Sequence, residues 1–130
     1  MIIFTIRTDK PEAEIALYND ATEITQEVWY AHRQLAETIH TKMEALLKSK
    51  GKDWKDVQGI VCFTGPGSFT GLRIGLSVGN ALAYGLSVPI VGTEGEAWLQ
   101  EGITRLQNGD KDQIALPEYG SEAHTTLPRK

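Results

Sequence analysis

The 130-residue chain has one cysteine, three histidines, no excess of positive charge and no apolar run long enough to span a bilayer. Each shortage excludes something. Cys62 cannot close an internal disulfide, and its apolar surroundings suit an inert buried thiol in a reducing compartment. His32 and His40 lie eight residues apart on one helix, about 12 Å at the helical rise, too far to share a metal ion. His124 stands alone near the end, so no zinc site is expected. The net charge is 13 − 17 = −4, unsuited to stand-alone nucleic-acid binding. Lys48, Lys50, Lys52 and Lys55 cluster, and read first as a solvated helix end. Met1 to Ile6 is apolar but short, without a basic leader or a small-residue cleavage site. The expectation is a cytoplasmic protein with no membrane contact.

What is present is one domain's worth of alternating elements. Ile2–Ile6, Glu14–Tyr18 and Thr22–Trp29 read as three strands of an antiparallel meander. From Ala31 the period changes: Leu35, Ile39, Met43, Leu46 and Leu47 recur at helical spacing up to Lys50. Gly59–Phe63 is apolar without alternation, as in a strand covered on both faces. A helix over Phe69–Tyr84, a strand over Val88–Gly92 and a helix over Glu94–Leu106 follow. Residues 108–130 read as an extended tail with a short strand at Gln113–Leu116. Edge-strand physics favours a tail lying over a bare sheet edge. Hairpins first and crossovers second imply an α/β domain over 1–107, a mixed five-stranded sheet in the order β-β-β-α-β-α-β-α.

The loop Gly65-Pro66-Gly67-Ser68-Phe69-Thr70-Gly71 joins a buried strand to a helix, where free N–H groups can meet an anion. It lacks the lysine of a Walker loop and does not spell Gly-x-Gly-x-x-Gly. It reads first as a tight turn with Ser68 or Thr70 capping the helix, and second as a phosphate cradle. Ser68 is not in a Gly-x-Ser-x-Gly elbow, so no hydrolase triad is expected. In the helix, Gly71, Gly75, Gly79 and Ala83 share one face, and small residues at that spacing admit another backbone closely. Arg73 is the only charge from Phe69 to Tyr84. A helix apolar nearly all round must be covered nearly all round, by the neighbouring helix or by a partner.

The stretch from Gly65 through Arg73, Ile74, Gly75 and Leu76, continuing at Asn80, Ala83, Tyr84, Gly85, Pro89 and Gly92, closely resembles the TsaB family, also called YeaZ. His32 with Leu35, Pro11-Glu12-Ala13 and Ile15-Ala16-Leu17 extend the resemblance over about residues 1 to 100. It implies a single actin/Hsp70/sugar-kinase-like (ASKHA, ribonuclease H-like) half-domain. It also implies a non-catalytic subunit that binds and activates the paralogous TsaD for threonylcarbamoyl transfer to a tRNA adenosine. The family pairs through its first two helices. That places an interface at His32, Leu35, Ile39 and Met43, and at Gly71, Leu72, Arg73, Gly75, Leu76, Gly79, Asn80 and Ala83. The TsaE ATPase is a further candidate partner, self-association into a homodimer through the same helices is a competing reading when TsaD is absent, and tRNA would be met only through the complex. No cofactor, metal or catalytic residue is implied.

Two departures bear on chemistry. Family members usually carry an Asp-Thr-Ser-like phosphate loop after the first strand, and here Arg7-Thr8-Asp9 stands there. A cation at the acid position cannot help hold a metal ion, although Arg7 could contact an anion. Members are also usually longer, with a second domain of similar fold. The tail from Pro117-Glu118-Tyr119-Gly120 to Leu127-Pro128-Arg129-Lys130 resembles the family's extreme C-terminus, as in a reduced form lacking the second domain. The alternative is a nucleotide-binding or hydrolysing ASKHA-type enzyme using Gly65–Gly71.

Overall fold

A computed structural model describes residues 1–67, 69–112 and 114–116, with only the backbone described at His32 and Phe69. The sheet has five strands: β1 (Ile2–Arg7), β2 (Glu12–Asn19), β3 (Thr22–Tyr30), β4 (Gly59–Phe63) and β5 (Ile90–Thr93). The spatial order is β3-β2-β1-β4-β5. The first three strands pair antiparallel, whereas β4 joins β1 and β5 joins β4 in parallel. Asp20, with φ 53, makes the β2–β3 turn, and its amide donates to the Met1 carbonyl at 2.8 Å. Short polar side chains tolerate that left-handed backbone. Three helices complete the domain: α1 (Leu35–Ser49), α2 (Phe69–Leu86) and α3 (Trp98–Gln107). The element order expected from the sequence is the one observed.

Two glycines show how the layers sit. A Cβ at Gly79 of α2 would run into the Cys62 sulfur, and a Cβ at Gly102 of α3 would run into Val61. Consecutive strand residues point to opposite faces. So α2 lies on the Cys62 face of β4 and α3 on the Val61 face. Leu35, Ile39, Met43, Leu46 and Leu47 of α1 are buried against β2 and β3. Ile3, Phe4, Ile6, Leu17, Ile60 and Val91 form the middle of the core. Every residue of β4 is buried, which is why that strand shows no alternation in sequence.

Cys62 is 1% exposed, and burial pushes its thiol up to about 12. The reactive species is the thiolate. Thiol reagents at neutral pH should therefore leave the folded chain unlabelled and modify one site per chain once denaturant is added. Rapid labelling of the native protein would contradict that placement.

Several boundaries differ from the sequence reading, each for a local reason. A 3₁₀ turn at His32–Gln34 precedes α1, and the Ala31 amide donates to the Pro11 carbonyl. Residues 94–97 form a turn around Gly95, with φ +79, so α3 starts at Trp98 and not at Glu94. A 3₁₀ turn, Trp54–Asp56, precedes β4, closed by reciprocal bonds between Asp53 and Asp56. Its Trp54 ring stacks on Phe4 at 6.0 Å, with His40 edge-on at 6.3 Å. The strand expected at Gln113–Leu116 is not one among the described residues. A single antiparallel bridge forms instead, between Ile90 and Asp112. Residues 117–130, including the stretch likened to a family C-terminus, lie outside the described residues. Among the described residues no helix is long and apolar enough to cross a membrane.

Candidate partner interface

The motif loop is built by its neighbours. The Thr64 amide donates to the Thr93 carbonyl at 2.8 Å, carrying the β4–β5 ladder past the end of β4. Gly65, with φ 121, turns the chain, and its carbonyl accepts from the Gly95 amide at 3.3 Å. A Cβ at Gly67 would lie 2.5 Å from the Asp9 Cβ, so only glycine fits there. The Thr8 hydroxyl donates to the Gly71 carbonyl at 2.7 Å, tying the end of β1 to the first turn of α2. Thr70 is inside α2, so it does not cap the helix, and Ser68 lies outside the described residues.

The Arg7–Asp9 corner is closed from within. Arg7 Nε and Nη2 donate to the two oxygens of Asp9 at 2.8 and 3.3 Å. The guanidinium also lies over the Phe63 ring, 4.0 Å from its centroid. The Asp9 side chain is only 8% exposed. The chain thus seats its own carboxylate against the glycine loop where a phosphate cradle would need a vacancy, and the second anion would be repelled. Arg7 is engaged with Asp9 and Phe63, which leaves less of it for an outside anion. Among the described residues no three His, Cys, Asp or Glu side chains cluster as a metal site.

The small-residue stripe has a use inside the domain. Gly75 packs against Thr8, Gly79 against Cys62, and Leu72, Leu76 and Ala83 are buried. Gly75 and Gly79 thus face the chain's own Thr8 and Cys62 side chains and Ala83 is buried, so these three positions are packed inside the domain and are not open to a partner. Leu35, Ile39 and Met43 are likewise core residues, at 4%, 0% and 0% exposure. Asn80 is half-buried, and its amide bonds both backbone groups of Ala115, at 2.8 and 2.9 Å. Gly71 is half-buried, Arg73 is exposed, and the His32 side chain is outside the described residues.

What α2 turns outward is a different set. Ser77, Ala81 and Gly85 are exposed at four-residue spacing, with Tyr84 beside them at 90% exposure. Ile74, Val78 and Leu82 flank them half-buried. Apart from Arg73 no charge interrupts this surface from Phe69 to Leu86. The interface expected from the sequence leaves out Ser77, Ala81 and Tyr84, because α2 is apolar in several phases at once. Only the location of the sheet decides which phase is inside.

Comparison with known proteins places the chain. The family model described as TsaD, tRNA N6-adenosine threonylcarbamoyltransferase, matches residues 29–107. The tRNA threonylcarbamoyladenosine biosynthesis protein TsaB of Escherichia coli is 32% identical over 117 residues, covering 82% of this chain and 48% of that protein. The chain therefore spans about half the length of this curated relative. The solved structure of YeaZ from Pseudomonas aeruginosa superposes with a TM-score of 0.68 at 25% identity, over 82% of this chain and 50% of YeaZ. RuvC of Thermus thermophilus, in complex with a Holliday junction substrate, superposes with a TM-score of 0.54 at 13% identity, over 95% of this chain and 85% of RuvC. That likeness extends to the fold alone and gives it as the ribonuclease H-like half-domain with a mixed five-stranded sheet. Motif, topology and relatives agree that the chain belongs to the TsaD family, as a member of its TsaB/YeaZ branch.

Proposed function

We propose that the chain is a non-catalytic partner subunit in tRNA threonylcarbamoyladenosine synthesis, docking the catalytic TsaD through the outward face of α2. The observation that carries this is the uncharged surface of Ser77, Ala81, Tyr84 and Gly85, flanked by Ile74, Val78 and Leu82. An exposed apolar helix face with small residues along its middle suits close packing against another helix, with Tyr84 as the aromatic anchor. The exposed side of α1 lies on the same face of the sheet and extends the surface with Ala36, His40 and Glu44. Binding, and activation through binding, requires no reacting group on this chain. Mixing with TsaD of the same organism at micromolar concentration should give a heterodimer on a sizing column. Two separate peaks would refute the proposal.

The nucleotide-hydrolysing alternative would use the Gly65–Gly71 loop. The Asp9 carboxylate seated against Gly67, and the engagement of Arg7 with it, weigh against that reading. Titration of the chain with ATP and magnesium should produce no binding heat and no phosphate release. Saturable heat that disappears on Gly67→Ala would restore the enzyme reading.

A further inference from the structure

Among the described residues no strand continues the sheet beyond β5, and the segment that follows α3 straps this edge. The carbonyls that face β4 are engaged there: Ile60 donates to Pro89, just before β5, at 3.0 Å, and Thr64 donates to Thr93 at 2.8 Å. The groups facing away belong to Ile90 and Gly92. The Ile90 carbonyl accepts from the Asp112 amide at 2.8 Å. The Gly92 amide donates to Asp112 Oδ2 at 2.8 Å, and the Gly92 carbonyl accepts from Arg105 Nη1 at 3.3 Å. One residue, Asp112, thus serves the edge with both backbone and side chain. Arg105 fixes it, with Nη2 donating to Asp112 Oδ1 at 2.7 Å and Nε to Asp110 at 2.7 Å. Three residues further on, Asn80 of α2 grips Ala115 by both backbone groups. Asp112 on the β5 edge and Ala115 held by α2 therefore tie the edge to the helix layer on the Cys62 face.

β5 itself, Ile-Val-Gly-Thr, carries no charge and no proline. Natural edges are usually blunted by such residues inside the strand, and here the protection comes from outside it. We infer that Asp112 is the latch of this strap, a carboxylate standing in for the neighbouring strand, and that loss of this carboxylate unfastens the strap, which then lets β5 pair with β5 of a second copy. A second copy is the fitting occupant because an uncharged edge is self-complementary when two copies meet antiparallel about a two-fold axis. This inference does not depend on the docking of TsaD.

Amide hydrogen exchange and light scattering on Asp112→Ala test it. The Gly92 amide should exchange at least tenfold faster than in the unaltered chain at low protein concentration, with Val61 unchanged. The mass should rise with concentration above that of the unaltered chain. Asn80→Ala, which releases the strap at its other fastening, should add to both effects and serves alone if Asp112→Ala does not fold. A Gly92 amide that stays protected, or one that opens with no gain in mass, would overturn the inference.

Discussion

Gly75→Leu should abolish the cooperative unfolding transition, or lower its midpoint far below that of the unaltered chain. A β-carbon at Gly75 runs into Thr8, whose hydroxyl is already committed to the Gly71 carbonyl. Thr8 is 2% exposed and directly follows β1, so it cannot swing aside into solvent. The leucine must push α2 off the sheet, and Leu72 and Leu76, at 0% and 4% exposure, move with it. Overpacking by a few methylenes costs about 1–3 kcal/mol in tolerant cores, and a displaced helix costs more. The gain from replacing a helical glycine is only about 1 kcal/mol. Against a total stability of roughly 5–15 kcal/mol the balance is severe. Gly85→Leu provides the contrast: nothing lies within 4 Å of its added Cβ, and the fold should be untouched. Thermal melts of both variants, followed by circular dichroism, check this. Equal melts would mean that the glycine stripe does not face the sheet.

The second large effect concerns the opposite side of the same helix. Ala81→Glu should leave the melt unchanged and remove the complex with TsaD. Ala81 is exposed, so the glutamate is hydrated in the free chain. In an apolar helix contact the same carboxylate would be stripped of water without a partner, which costs several kcal/mol. Tyr84→Ala should act less completely, weakening binding by about thirtyfold if the ring supplies the ~2 kcal/mol typical of an aromatic anchor. Titration calorimetry of each variant against TsaD distinguishes them.

Much of the domain was legible in the sequence, and the reason is periodicity. β4 lacks alternation because both faces are covered, and α1 shows a clean apolar stripe because only one of its faces is. The helix after the glycine loop was legible as an element but not in its orientation. Its four-residue repeats at Gly71–Gly75–Gly79–Ala83 and at Ser77–Ala81–Gly85 are equivalent in sequence, and only tertiary structure separates the one that meets Thr8 and Cys62 from the one that meets solvent. The Arg7–Asp9 corner was half legible. The cation at the expected acid position was visible, whereas its seat over Phe63 was not, since that contact joins the ends of two strands far apart in sequence. The Arg105–Asp112 latch was invisible because its members look like ordinary surface charges until β5 is known to be the edge. There, Arg105 has its guanidinium pKa raised by its bonds to Asp112 and Asp110, and Asp110 is held below the ordinary carboxylate value by Arg105.

The measurement that bears most directly on the docking of α2 is titration of TsaD with the unaltered chain and with Ala81→Glu, at matched folded concentration. Saturable one-to-one binding is expected, and the substitution should remove it while the melt stays the same. Binding that is equally tight with Ala81→Glu, or no binding by the unaltered chain at micromolar concentration, would contradict it.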